Sequence, residues 1–143
     1  MSQRQVEVVR RLFEAFQAGM ERDDPGAWFD PDLIAENFEW ILSTPLDGRT
    51  VWRGREGFVE FIRTWTEGFE NWSIHVERWV DAGQKGVVAL TRQSATGKES
   101  GVPVDLNLGQ VWEFEVGRIA RARVYLDPAE ALEAAGVGEQ GSA

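Results

Sequence analysis

Apolar side chains return every three or four residues at the start of the chain and every second residue toward its end. Val6, Val9, Leu12, Phe13 and Phe16 form one stripe, which predicts a helix over residues 3–19, stopped by Gly19 and the polar ERDD stretch. Asp24-Pro25 and Asp30-Pro31 each set a capping residue before a proline suited to a first helical turn. Short helical pieces are therefore expected over 24–36, carrying Trp28, Phe29, Leu33 and Ile34 inward. Phe38, Trp40 and Leu42 alternate with Glu39 and Ile41, as in a short strand. Residues 43–54, with Pro45 and Gly48, read as a loop. A second helix over 55–68 gains its apolar face from Phe58, Phe61, Ile62 and Trp65, with Phe69 just beyond.

From Trp72 onward the period is two. Trp72, Ile74 and Val76 alternate with Ser73, His75 and Glu77, and the segment 86–95 is a second strand of this run. The next strand is the most regular. Val102, Val104, Leu106, Leu108, Gln110, Trp112 and Phe114 share one face, and Asp105, Asn107, Glu113 and Glu115 the other. After a turn at 115–118, Ala120, Ala122, Val124 and Leu126 fall on one side, with Arg121, Arg123 and Tyr125 opposite. Parity constrains this hairpin. A two-residue loop would set the apolar row of one strand beside the charged row of the next, whereas a three-residue loop with left-handed Gly117 pairs even with even. The expected partners are then Trp112 with Ala120, Gln110 with Ala122, and Leu108 with Val124. Asp127-Pro128-Ala129-Glu130 is a capping box opening a short last helix, closed by Gly136.

The length of 143 residues allows one domain, placed over residues 1–136, with a flexible tail over 137–143. Hydrophobic residues at 43% and charged residues at 27% describe a globular chain. No apolar run nears the ~20 residues needed to span a bilayer. The N-terminus has no apolar signal region, so a cytoplasmic location is expected. A net charge of −9 opposes phosphate backbones and anionic membranes, so neither nucleic acid nor membrane is an expected partner. The absence of cysteine removes disulfides, thiolate nucleophiles and cysteine-based zinc sites. Seven tryptophans are many for this length. They either fill the core or line an apolar ligand site.

Helix, short helices, strand, helix, four strands and short helix follow in an order that resembles the nuclear transport factor 2-like superfamily, in particular its SnoaL-like branch. The residues that carry the resemblance are Leu12-Phe13-Glu14-Ala15-Phe16, Ala35-Glu36-Asn37-Phe38-Glu39-Trp40, Arg53-Gly54-Arg55-Glu56-Gly57, Ser100-Gly101-Val102, Gln110-Val111-Trp112, Gly117-Arg118-Ile119 and Val124-Tyr125-Leu126-Asp127. The resemblance implies an α+β fold of the cystatin-like, nuclear transport factor 2-like barrel type: a curved, antiparallel-rich sheet wrapped by helices into a cone. It also implies an interior pocket and a homodimer. The family holds isomerases, polyketide cyclases, epoxide hydrolases and dehydratases beside binding-only modules, so the site must decide the function.

Ketosteroid isomerases use an aspartate base and a neutral aspartic acid donor. The resemblance puts Leu42 and Gln110 at those places. The aspartate–arginine–aspartate set of limonene-epoxide hydrolases falls on Val87, Ala89 and Val124, all apolar. The inner rows of the last two strands carry no carboxylate for cyclase chemistry. A register slip of one would turn Asp105 and Asn107 inward, but only by exposing Leu106, Leu108, Trp112 and Phe114.

The expected activity is binding of a small apolar, polycyclic or terpenoid-like molecule. Trp40, Leu42, Leu106, Leu108, Trp112 and Val124 would form the walls, with Gln110, Thr91 and Gln93 orienting the ligand and small Ala122 leaving room. The inward placing of Thr91 and Gln93 leans on the resemblance. No metal site or cofactor is expected, because His75 is the only histidine and sits on a solvated row. Two alternatives stand beside this reading. One is an isomerase, cyclase or lyase whose acid/base groups (Glu39, Asp47 or His75) reach the cone. The other is an interaction module whose cone is filled by its own tryptophans.

Overall fold

The N-terminal stripe folds as helix α1 (Ser2–Glu21), burying Val9, Leu12, Phe13 and Phe16. The structure, a computed structural model, describes residues 2–137. After α1 come β1 (Ile34–Leu46), β2 (Arg49–Arg53), α2 (Gly54–Thr66), β3 (Phe69–Asp81), a 3₁₀ turn (Gly83–Lys85), β4 (Val87–Gly97), β5 (Pro103–Glu115), β6 (Arg118–Tyr125) and α3 (Pro128–Ala134). The strands form one sheet in the order β2-β1-β6-β5-β4-β3. Neighbours are antiparallel except β1 and β6, which run parallel. The sheet does not close on itself, since β2 and β3 are free edges, and the fold is an α+β cone.

Helices cover both faces. α1 and α2 lie over the inner face, where Phe38, Trp40, Ile74, Val87, Ala89, Trp112 and Val124 join their apolar residues in one cluster. α3 lies on the opposite face, over Val80, Val88 and Val111. Its seat is Gly109: a Cβ there would stand 2.4 Å from the Cβ of Ala131 and 3.2 Å from Cα of Pro128. Asp127 caps α3 by accepting the Ala129 N–H at 2.9 Å, without a return bond from Glu130 among the described residues. The tail expected over 137–143 lies outside the described residues beyond Val137. Val137 itself donates to the Leu132 carbonyl at 3.0 Å and packs on the second cluster.

Three expectations need correction. Residues 24–33 form consecutive hydrogen-bonded turns and no helix, and β1 begins already at Ile34. Each Asp-Pro starts a turn, but the next turn arrives before a helical nucleus can propagate. Trp28 and Ile34 are buried all the same. Residues 43–54 are not a loop. β1 continues to Leu46 and turns through Asp47-Gly48, both at positive φ (52° and 76°), into β2. An Asp-Gly pair between extended segments is a strong hairpin signal.

The third correction concerns the last hairpin. Its loop is two residues, Val116 and Gly117, both left-handed (φ 51° and 81°), and Glu115 pairs Arg118. Such a loop brings the wrong faces together, and a bulge restores them. The pairing steps from Phe114↔Ile119 to Glu113↔Arg121, so Ala120 is the extra residue. The even rows meet as expected but two residues further along: Gln110 faces Val124 and Trp112 faces Ala122. A bulge at Glu77 in β3 likewise shifts phase, so Trp79 joins the inner cluster while Val80 faces α3.

Two predictions follow from these placements. Gly109→Ala forces α3 off its seat and should lose about 1–3 kcal/mol in urea unfolding. An unchanged midpoint would refute the contact. Val116 is a fully exposed β-branched residue in a left-handed turn. Val116→Asn should gain about 1 kcal/mol by relieving that strain, read from the same denaturation midpoint.

Candidate functional site

A cavity of about 210 Å³ opens between the inner face of the sheet and helices α1 and α2. Its floor is the alternating row of β5, β6 and β1: Leu108, Gln110 and Trp112, then Val124, then Trp40 and Leu42. α1 contributes Leu12, Phe13 and Phe16, and α2 contributes Phe58, Phe61, Ile62 and Trp65. The lining residues exposed to solvent are Ser43, Thr44, Pro45 and Leu126, at the C-terminal ends of the parallel pair β1 and β6, so the mouth lies there. A water occupies about 30 Å³ of liquid, so the tryptophans leave the interior well short of filled.

The floor depends on one small residue. Ala122 on β6 is flanked by Trp40 of β1 and Trp112 of β5. With only a methyl group between them, the two indoles meet above it at 5.9 Å between ring centres. Trp28 completes the wall edge-on to Trp112 at 5.8 Å, and Phe58 edge-on to Trp40 at 5.0 Å. Such T-shaped contacts set the positive edge of one ring against the negative face of another.

Two buried amides supply the polarity. Gln93 Oε1 accepts the indole N–H of Trp65 and that of Trp72, each at 2.8 Å. Gln110 Oε1 accepts the Trp112 N–H at 2.9 Å. An indole nitrogen only donates, so these contacts fix which end of each amide is oxygen. The Gln93 bond ties α2, β3 and β4 together at the cavity edge. The Gln110 bond tethers the Trp112 ring to its own strand, two residues away.

Of the residues expected at the site, Trp40, Leu42, Gln93, Leu108, Gln110, Trp112 and Val124 line the cavity, and Thr91, Leu106 and Ala122 do not. Thr91 is buried, and its hydroxyl donates to the Leu108 carbonyl at 3.2 Å. Leu106 is half-buried toward the Pro103 end of its strand. Ala122 is covered by its tryptophan neighbours, and the residue opposite Gln110 is Val124. Trp65, Trp72 and the 43–46 segment were not placed at the site by strand alternation. The seven tryptophans and the Asp-Gly pair were the available signals.

The lining residues include no carboxylate, histidine, lysine, arginine or tyrosine. Glu39 pairs with Arg53 at 3.1 Å, Asp47 sits in the β1–β2 turn, and His75 is exposed on β3 opposite Arg92. None of the three reaches the cavity. Val87 and Ala89 are fully buried in the inner cluster. Charge is gathered on the outer face. Asp105 is held below its ordinary pKa by hydrogen bonds from Ser94 and Arg92 and by the charge of Arg92. The Arg121 guanidinium is pushed up by its hydrogen bonds to Glu113 and Glu115. Among the described residues no cluster of His, Cys, Asp or Glu is suited to a metal, and no helix is long and apolar enough to cross a membrane.

A family model described as the SnoaL-like domain matches residues 9–122. No curated protein matches the chain. Solved structures share the fold at low identity. A nuclear transport factor 2-like protein of Burkholderia pseudomallei K96243 is 20% identical, with 90% of this chain and 95% of that one covered and a TM-score of 0.67. A protein with the ketosteroid isomerase-like fold from Catenulispora acidiphila DSM 44928, solved with trimethylamine, is 17% identical, covering 87% and 92%, with a TM-score of 0.63. TerC, co-crystallised with polyporic acid, is 15% identical, covering 92% and 98%, with a TM-score of 0.67.

One substitution tests the amide geometry. Gln110→Leu leaves the buried Trp112 N–H without an acceptor. The variant should lose about 1–3 kcal/mol in equilibrium unfolding. Wild-type stability would show that the bond does not hold the floor.

Proposed function

The chain belongs to the SnoaL-like domain family, and from that premise we propose that it binds a small, largely apolar molecule in the cone without acid/base chemistry by cavity side chains. The observation that carries this is the lining itself: apolar and aromatic walls, two amides, two hydroxyls at the mouth, and no ionisable group. General acid–base catalysis needs a side chain that can take or give a proton within reach of the substrate. An amide does neither. Apolar walls with a few placed polar groups are the usual make-up of a small-molecule site. That TerC, of the same fold, was crystallised with polyporic acid is consistent with a small molecule in such a cone.

Size narrows the ligand. An engineered apolar cavity of about 150 Å³ takes benzene. The cavity here, at about 210 Å³, suits one or two fused rings or a monoterpenoid skeleton, rather than a four-ring molecule.

Tetralin and naphthalene are suitable probes. At a concentration ~100-fold above Kd, a bound ligand adds about 2.7 kcal/mol, which should raise the melting temperature by roughly 10 °C. Val124→Trp would fill the space above the floor and should abolish the shift while the free variant melts near the parent. With no titratable group in the wall, the affinity for these hydrocarbons should not vary with pH while the protein stays folded. Absence of any shift across both probes and a monoterpene panel would overturn the reading.

A further inference from the structure

The rim of the cavity is anchored unevenly. On α2, Trp65 is tied to Gln93. On the β6 side, Leu126 runs directly into Asp127, which caps α3, and α3 is seated on Gly109. The β1–β2 side is different, because there the strand pairing stops. Trp40 pairs Trp52 and Ile41 pairs Val51, and the next pair is Leu46↔Arg49. On its other side β1 last meets β6 at Leu42↔Val124. Ser43, Thr44 and Pro45 therefore have no paired residue on either neighbouring strand, and Pro45 has no N–H to offer. Opposite them β2 has the single residue Thr50.

Beyond this break sits a stiff tip. Asp47 and Gly48 turn with left-handed φ (52° and 76°), as in a two-residue hairpin loop, and close on Leu46 and Arg49. Leu46 is half-buried, lines the cavity and packs on the inner cluster, whereas Ser43, Thr44, Pro45, Asp47 and Gly48 are exposed. Arg49 holds the tip down. Its guanidinium lies 3.1 Å from the Glu60 carboxylate on α2, donates through Nε to the Val51 carbonyl at 2.9 Å, and stands 5.0 Å from the centre of the Trp52 ring. Both members of the ion pair are partly in solvent (44% and 60% exposed), where such a pair is weak. The tip can pivot as one piece without breaking any strand pairing.

We infer that the hairpin tip Leu46–Arg49 is a gate to the cone. It pivots on Ser43–Pro45 and Thr50, lifts Leu46 from the mouth, and is latched shut by Arg49. The gate takes its purpose from the binding reading above and rests on it for that, but its motion can be tested without a ligand.

The chain has no cysteine, so one introduced thiol reports on one place. Val124 lines the cavity from β6, outside the tip, and is 6% exposed. The rate at which N-ethylmaleimide modifies Val124→Cys then measures opening of the mouth, with Ser43→Cys as the open reference. Adding Glu60→Ala removes the ion pair alone and should speed labelling about twofold to fivefold. Adding Arg49→Ala removes the stacking and the carbonyl contact as well, and should speed it about tenfold. Salt should speed labelling of Val124→Cys by screening the pair, and leave the variant that also carries Glu60→Ala unchanged. Leu108→Cys, 3% exposed on β5, carries the same series if Val124→Cys does not fold. Labelling that neither substitution nor salt alters would overturn the gate and leave the binding reading untouched. Rates that follow each variant's global stability in urea would overturn it too, since the thiol is then reached by unfolding. Gated labelling of a cone that takes none of the hydrocarbon probes would uphold the gate and remove the binding reading.

Discussion

Indole N–H groups in an apolar interior are costly to leave without acceptors, and here two glutamine carbonyls supply most of them. Three of the five tryptophans around the cavity donate to Gln93 and Gln110. The consequence is structural first. Gln93 joins a helix and two strands at one oxygen, so the wall made by Trp65 and Trp72 is fixed to the sheet and not free to fold into the space beside it. The consequence is then chemical. The Gln93 carbonyl is spent on two indoles, while the Gln110 carbonyl is spent on one. The polarity of the site is thus a residue of how the aromatic core was satisfied.

That arrangement needs the alternating rows of three strands to lie on one side. Ala122 is the point at which this is tightest, because β6 separates the two strands that carry Trp40 and Trp112. A larger side chain there would part the rings and reshape the floor. The bulge at Ala120 keeps the row in phase after a loop that would otherwise invert it, and the bulge at Glu77 lets β3 give Trp79 to one core and Val80 to the other. With α3 seated on Gly109, the sheet is covered on both sides, which is why β4 and β5 are apolar on both rows near their centres.

Much of this was legible from periodicity. The α1 and α2 stripes, the row Leu108-Gln110-Trp112, and the outward face of Asp105, Glu113, Arg121 and Arg123 each follow from a repeat of 3.6 or two. Pro45 reads as a breaker and hides the β1–β2 hairpin, although at an edge-side position a strand tolerates it. The turns at 24–33 look like helices in the sequence because capping signals mark a beginning and say nothing of length. The positions Thr91 and Ala122 were on the correct face, yet a face is wider than the cavity above it.

By itself the sequence determined which residues are inside. Apolar burial is strong, and alternation leaves a strand one way to achieve it, so phase is a local property that the chain carries openly. Tertiary structure alone decided register along that phase, and with it that Val124 and not Ala122 stands opposite Gln110. It also decided that Gln93 spends its oxygen on Trp65 and Trp72, which lie on other elements of the chain. A bulge costs little and no pattern announces it, and a hydrogen bond between distant side chains exists only once the packing has brought them together.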